Sequence, residues 1–144
     1  MQKKILVFIP HIRGGGVEKN FFLLTNFLSK KTTSVSVITV NKEYKSNLDK
    51  RIKIIAPKSN SWKNSSIYVK YLISIFLLTL TLFKNNNYLV ISFQANWYSI
   101  LISKLFNVKI ISRSNTAPDG WSKNIIKKYF YKVILNLADE VIVN

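Results

Sequence analysis

The sequence predicts an α/β domain in which a mainly parallel sheet is doubly wound, with helices on both faces. Strand-like and helix-like patterns alternate along the whole chain, and this alternation is typical of a parallel sheet. Most of the strand patterns are apolar at consecutive positions, as in strands that are buried on both faces. The 144 residues suffice for one hydrophobic core but not for two ordinary domains. We therefore predict a single three-layer, Rossmann-like domain over residues 1–144.

The spacing of apolar residues predicts each element in turn. An apolar run predicts the first strand at 4–9, and Val17, Phe21, Leu24 and Leu28 share one face of a helix predicted at 17–29. Apolar and β-branched runs bounded by polar residues or proline predict five more strands, at 34–40, 51–56, 88–93, 108–112 and 140–144. Helical spacing predicts two further helices, at 97–106 and 123–137.

The most apolar segment, 66–83, has three possible interpretations: a buried core helix, a helix at a membrane interface, or a membrane-spanning helix. Lys70 interrupts the apolar run, and residues 71–83 alone remain before Lys84. A spanning helix needs about 20 apolar residues. We predict a buried core helix.

The chain is strongly basic, with 22 Lys and Arg against six Asp and Glu and a formal net charge of +16. This excess favours polyanionic neighbours, such as phosphorylated ligands, an anionic membrane surface or nucleic acid; alternatively, it only solvates the surface. The basic residues form no run longer than two, and no nucleic-acid-binding module is recognisable. Nucleic acid is therefore not a predicted partner.

Composition also restricts the cofactors and the compartment. The chain has no cysteine, which excludes disulfides and thiolate metal sites. No cluster of other ligand residues has the spacing of a metal site, so we predict neither a metal nor another cofactor. The apolar run at 5–9 is too short for a signal peptide, and we expect a cytoplasmic protein.

The loop after the first strand, HIRGGGVEK at 11–19, holds three of the four glycines. Ligands of doubly wound folds bind beyond the carboxyl ends of the strands, which selects the loops at 10–17, 41–50, 93–97 and 112–122. Glycines allow backbone N–H groups to approach a ligand, and a following helix adds free donors, so this loop suits a diphosphate; alternatively, the glycines only form a tight turn. Neither G-x-G-x-x-G nor the P-loop pattern is present. Glu18 either caps the helix or meets a ligand hydroxyl.

The residues between 5 and 40 resemble the start of family-4 retaining glycosyltransferases of the two-domain GT-B kind. Gly15-Gly16-Val17-Glu18 matches the Gly-Gly-x-Glu loop of that family, and ADEVIVN at 138–144 resembles its Ala-Asp strand near the end of the N-terminal domain. The order of elements between the two motifs also fits, so the resemblance spans the chain. It implies the N-terminal, acceptor-binding half of such an enzyme, with the donor-binding C-terminal domain outside this chain.

The resemblance assigns substrate-binding or diphosphate-binding roles to residues in three loops. Gly14, Gly15, Gly16 and Glu18 would face the interdomain cleft. Arg113 and Asn115 would stand where many members carry a histidine, and would bind phosphate or hydroxyl groups; alternatively, Arg113 only pairs at the surface. Gln94 and Asn96 would contact hydroxyls, or Asn96 would instead be the N-cap of the helix predicted at 97. His11 has no carboxylate nearby in the sequence to orient it, so no catalytic residue is assigned.

The implied function is transfer of a hexosyl or N-acetylhexosaminyl group from a nucleotide sugar, with retention, to a lipid-linked or cell-surface glycan precursor. The chain alone is expected to be inactive. The alternative is a non-catalytic anion-binding subunit, or one half of a two-chain glycosyltransferase. Lys123, Lys127, Lys128 and Lys132 interleave with aromatic residues on the helix at 123–137. This pattern predicts peripheral attachment to the inner face of a membrane, assisted by Trp62 or Trp121.

Overall fold

The computed structural model describes residues 4–32, 34–59, 61–114 and 124–143. Its strands are β1 (Lys4–Phe8), β2 (Val35–Ile38), β3 (Lys53–Ile55), β4 (Tyr88–Ser92), β5 (Lys109–Ser114) and β6 (Glu140–Val143). Its α-helices are α1 (Gly16–Lys31), α2 (Ile67–Lys84), α3 (Asn96–Leu105) and α4 (Ile125–Leu135). Each strand and helix predicted from the sequence overlaps one of these. Two short 3-10 helices, Lys42–Asn47 and Ser61–Asn64, were not predicted.

The six strands form one sheet in the order β3-β2-β1-β4-β5-β6, and every neighbouring pair is parallel. The chain therefore builds one half of the sheet outward from β1 and then crosses to the other side of β1 to build the second half. The carboxyl ends of β1 and β4 lie next to each other at the point where the order reverses, and this point is the usual ligand site of the fold class. The prediction of a doubly wound, Rossmann-like domain is confirmed.

Alternation along the strands divides the core into two clusters. In β1, Ile5 and Val7 face a cluster that includes Phe21 of α1. Leu6 and Phe8 face the opposite cluster, which includes residues of α2, α3 and α4. Helix α1 therefore covers one face of the sheet, and α2, α3 and α4 lie together on the other. Strand β6 is an edge strand whose four side chains are all exposed.

Asp139 links the start of β6 to the amino end of β5. Its Oδ2 accepts hydrogen bonds from the backbone N–H of Ile110 at 2.8 Å and from Lys104 Nζ at 2.7 Å. Burial alone would raise the pKa of Asp139, but these two bonds outweigh burial, and the pKa is lower than usual. The Ala-Asp pair that the sequence shares with the glycosyltransferase motif thus has a structural role here, because it fixes the start of β6 against β5.

Helix α2 differs from the buried core helix that the sequence predicted. Only about a fifth of its residues are buried, and by length and composition it could cross a membrane. The buried stripe consists of Lys70, Ser74, Leu78 and Leu82, whereas Leu72 and Phe76 are exposed. The helix therefore turns the polar residues of its first half toward the sheet and much of its apolar surface outward.

Candidate functional site

The glycine loop leaves the start of α1 open to a ligand. Gly14 has a φ of +88°, a left-handed conformation that favours glycine. Gly15 is the N-cap of α1 and supplies no side-chain cap. The N–H groups of Gly16, Val17 and Glu18 have no partner within the helix because no preceding turn exists. The three glycines are exposed beyond the carboxyl end of β1, and the Glu18 carboxylate lies beside Gly15.

Glu18 joins this loop to the loop after β4. Its carboxylate is buried, and Oε1 accepts long hydrogen bonds of 3.4 Å from the backbone N–H of Arg13 and from Gln94 Nε2. A glutamate at this third helical position commonly reaches back to the N-cap N–H. Here it accepts from Arg13, two residues before the N-cap, and from Gln94 in the loop after β4. Gln94 Oε1 is buried and has no hydrogen-bond partner among the described residues.

His11 is held by two side chains in one protonation state. Asn41 Oδ1 lies 2.9 Å from His11 Nδ1 and also accepts from the backbone N–H of Ile12 at 3.0 Å. Arg13 Nε donates to His11 Nε2 at 2.7 Å. Because Nε2 accepts a hydrogen bond, the proton resides on Nδ1 and the ring is neutral. The Nε2 lone pair that a general base would use is therefore engaged by Arg13.

Arg113, the fifth residue of β5, is a buried cation without a carboxylate partner among the described residues. Its exposure is 8%, and its guanidinium carbon lies 5.5 Å from the centroid of the Phe93 ring. The side chain of Asn96 fixes this part of β5 to the loop after β4, because Nδ2 donates to the carbonyl of Arg113 at 2.6 Å and Oδ1 accepts from Ser92. Arg113 thus lies on the α1 side of the sheet, next to Phe93 and one loop away from Glu18.

Lys70 is a second buried cation at the same end of the sheet, and sequence reasoning missed it. It is 6% exposed, and its Nζ has no hydrogen bond or ion pair among the described residues. Its charge helps to lower the pKa of His11, in the loop after β1. In the sequence it only interrupts an apolar run. The signal that could have identified it is the spacing of Lys70, Ser74, Leu78 and Leu82, which places the lysine on the stripe that packs against the sheet.

These groups together provide positive charge and free donors that outnumber the one buried carboxylate among them, that of Glu18. Two nearly buried cations, the exposed Arg13 and the free N–H groups of α1 lie around the carboxyl ends of β1, β4 and β5. Glu18 accepts there from the backbone N–H of Arg13 and from Gln94. Such an arrangement can bind a phosphate or diphosphate group. Among the described residues, no group of three or more His, Asp or Glu side chains could hold a metal ion.

Comparison with known proteins bears on the fold. No family model matches the sequence, and no curated protein matches it. Among solved structures, the chain is similar to a UGT transferase from Siraitia grosvenorii in complex with UDP, with a TM-score of 0.52 and 13% sequence identity. The match covers 81% of this chain. The fold is glycosyltransferase-like. The chain spans only 29% of the length of that neighbour.

The glycosyltransferase-like fold brings together most of the residues that the sequence singled out. Gly14, Gly15, Gly16, Glu18, Gln94, Asn96 and Arg113 all lie at the carboxyl end of the sheet. The roles predicted for them in ligand binding stay predictions. Asn115 lies outside the described residues, and so does Trp121. One alternative is wrong: α3 begins at Asn96 with Ala95 as its N-cap, so Asn96 does not cap a helix at 97.

Alanine substitutions at Gly14 and Gly16 test whether the backbone of the glycine loop has the conformation described. Gly14→Ala should lower the free energy of unfolding by about 1–2 kcal/mol, because an L-residue is strained at the positive φ of this position. Gly16→Ala is the matched control: a Cβ there meets nothing within 4 Å, and alanine favours the helix by up to about 1 kcal/mol. Urea unfolding of both variants checks this. Equal losses in the two variants would contradict the assigned loop conformation.

His11 should make the folded domain sensitive to mild acid. Burial, followed by the charges of Lys70 and Arg13, lowers the pKa of His11 below its usual 6.5, although the bond to Asn41 and the charge of Glu18 act the other way. Below about pH 6.5 the unfolded chain gains a proton that the folded chain resists, so the free energy of unfolding should fall as the pH falls from 6.5 toward 5.

The chain has one histidine, so His11→Gln should flatten this slope. Urea unfolding at several pH values between 5 and 7.5 measures it in both proteins. Identical slopes in the wild type and the variant would show that His11 is not held neutral.

Proposed function

We propose that the chain is the acceptor-binding, N-terminal half of a GT-B glycosyltransferase that uses nucleotide sugars. The observation that carries this proposal is the pair of buried cations at the carboxyl end of the sheet, Arg113 against Phe93 and Lys70 near His11. Neither has a carboxylate partner among the described residues. Both substrates of such an enzyme can present phosphate at this edge of the sheet: the nucleotide sugar as a diphosphate, and a lipid-linked acceptor through its phosphate.

Burying an unpaired cation costs several kcal/mol unless a counter-charge reaches it. Such a residue therefore reduces the stability of the free protein and increases the affinity for an anion. The Glu18 to Gln94 bond and the Asn96 to Arg113 bond connect the loops after β1, β4 and β5. These bonds hold the donors in place before a ligand arrives, which lowers the entropy lost on binding.

The comparison with solved structures supports a nucleotide sugar as the donor substrate. The similar solved structure holds UDP, and the chain matches less than a third of that protein. We assign the nucleotide mainly to a second domain, with this chain forming the acceptor wall of a cleft between the two. The Gly15-Gly16-Val17-Glu18 motif extends the proposal to family 4 and to retention, with a hexosyl or N-acetylhexosaminyl donor and a lipid-linked or cell-surface glycan precursor as acceptor.

In this proposal the chain's own residues would assist the departure of the diphosphate. N–H groups at Gly16 and Val17 and the cationic side chains would stabilise negative charge as it develops on the leaving group. His11 would take no proton, because its Nε2 is already bonded to Arg13. It would instead hold the loop after β1 in place through Asn41.

The experiment has two arms. Calorimetric titration of the chain with geranyl diphosphate, a soluble isoprenyl diphosphate, should show clear binding, while a nucleotide sugar should bind much more weakly. Tighter binding of the nucleotide sugar would contradict the assignment as the acceptor half.

The second arm measures transfer. Membranes from cells that express the gene are incubated with radiolabelled UDP-linked and GDP-linked hexoses and N-acetylhexosamines. Label should enter the lipid or glycan fraction and fall at least tenfold when the gene carries Arg113→Met. Incorporation that is unaffected by this change would refute the proposed function.

A further inference from the structure

Helices α2, α3 and α4 lie side by side on one face of the sheet, and their outward side is largely apolar. Leu72, Phe76 and Phe83 of α2 are exposed, as are Leu105 of α3 and Ile126 and Tyr129 of α4. We call this surface the outer face of α2–α4. Monomeric soluble proteins rarely expose contiguous apolar patches of this kind without a function.

The same three helices carry charge of one sign. Their sequences, IYVKYLISIFLLTLTLFK, NWYSILISKL and IIKKYFYKVIL, contain six lysines and no carboxylate. Lys70 points inward and Lys104 is paired with Asp139. Lys84 at the end of α2 and Lys127 and Lys132 of α4 are exposed. An apolar surface built on helices that carry lysines and no carboxylate is complementary to an anionic lipid surface, whose headgroups carry negative charge above an apolar interior.

The orientation of α2 distinguishes lying on a membrane from crossing it. Leu78 and Leu82 pack in the core cluster against β1 and β4, and Lys70 is buried at the other end of the same stripe. A helix anchored along its whole length on the sheet presents one side, not its full circumference, to lipid. A second copy of the chain would be a poor occupant, because two such faces would bring like charges together.

We propose that the protein binds an anionic lipid bilayer through the outer face of α2–α4, with α2 parallel to the membrane plane. The apolar side chains of α2 and α4 enter the headgroup region, and the lysines contact anionic headgroups. The surface is separate from the carboxyl edge of the sheet and does not depend on the function proposed for that edge.

Vesicle flotation of the full chain tests whether the outer face of α2–α4 binds an anionic bilayer. Binding to vesicles that contain phosphatidylglycerol should exceed binding to pure phosphatidylcholine at least tenfold. The double variant Leu72→Gln and Phe76→Gln should lose about tenfold in affinity for the anionic vesicles, because two apolar side chains no longer leave water. These residues are 66% and 61% exposed, so the fold should tolerate the change.

Helix α1 offers a matched control on the opposite face of the sheet. Leu23 and Phe27 have the same spacing and are 63% and 55% exposed, so Leu23→Gln with Phe27→Gln should leave vesicle binding unchanged. Lys127→Gln with Lys132→Gln should also weaken binding about tenfold and reduce its dependence on salt.

Three results would overturn the proposal. The first is equal binding to the two kinds of vesicle, and the second is an equal loss in the α1 and α2 variants. The third is a lipid-free dimer that fails to bind vesicles and that Leu72→Gln with Phe76→Gln dissociates, since this would identify the occupant as a second copy.

Discussion

Replacing Arg113 by methionine should stabilise the ligand-free protein while it abolishes most of its affinity for diphosphate. Methionine keeps an unbranched apolar side chain and removes the charge of Arg113, which is 8% exposed and faces no carboxylate among the described residues. Relief of the desolvation cost should raise the free energy of unfolding by about 1–2 kcal/mol. Loss of charge-assisted hydrogen bonds should weaken diphosphate binding by roughly tenfold to a hundredfold.

Urea unfolding without ligand and calorimetric titration with inorganic diphosphate measure the two effects. Lys70→Met should behave in the same way, because Lys70 is also buried without a carboxylate partner in the described part of the chain. Lys104→Met is the control: Lys104 Nζ bonds Asp139 at 2.7 Å, so its loss should not stabilise the protein and should leave diphosphate binding unchanged. If Arg113→Met destabilised the protein and left the affinity unaltered, Arg113 would be a structural residue only.

Asn41→Ala should cause the largest loss of stability among the polar substitutions considered. Asn41 is almost fully buried, and its Oδ1 bonds both His11 Nδ1 and the backbone N–H of Ile12. Alanine would leave two buried donors without an acceptor, which should lower the free energy of unfolding by about 2–4 kcal/mol. Urea unfolding at pH 7.5 provides the measurement.

Asn26→Ala is a matched control for this effect. Asn26 also makes two hydrogen bonds to a distant loop, to the carbonyl of Asn47 and from the N–H of Asp49, but it is only half-buried. Water can replace these bonds, so the loss should be about 1 kcal/mol. A loss at Asn41 no larger than that at Asn26 would show that water reaches His11 and Ile12.

The sheet was predictable because its signals are local. Short apolar runs predict the strands, and apolar residues repeated at helical spacing predict α1. Parallel pairing follows from the alternation of strands and helices. Helix α2 was misjudged because composition gives the apolarity of a segment but not the direction of its faces. Lys70 and Ser74 face the sheet. This could not be predicted from the expectation that apolar residues are the buried ones.

The candidate site was predictable in place but not in detail. The glycine loop and the rule for doubly wound folds identified Gly14 to Gly16, Gln94 and Arg113. His11 and Asn41 are 30 residues apart, and Glu18 and Gln94 are 76 apart. Contacts at such separations depend on strand order and register, which no local pattern contains. The αL conformation of Ala95 shifted the start of α3 by one residue and gave Asn96 its role between Ser92 and Arg113.

Mapping diphosphate on the protein by NMR tests the central claim most directly. The claim is that an anionic substrate group binds where β1, β4 and β5 end, at the open amino end of α1. Titration of the ¹⁵N-labelled chain with inorganic diphosphate should shift the amides of Gly14 to Glu18 and of Gln94 more than any others, and Arg113→Met should suppress these shifts. Shifts centred elsewhere, such as on Lys30 and Lys31 at the far end of α1, or the same shifts in the variant, would contradict it.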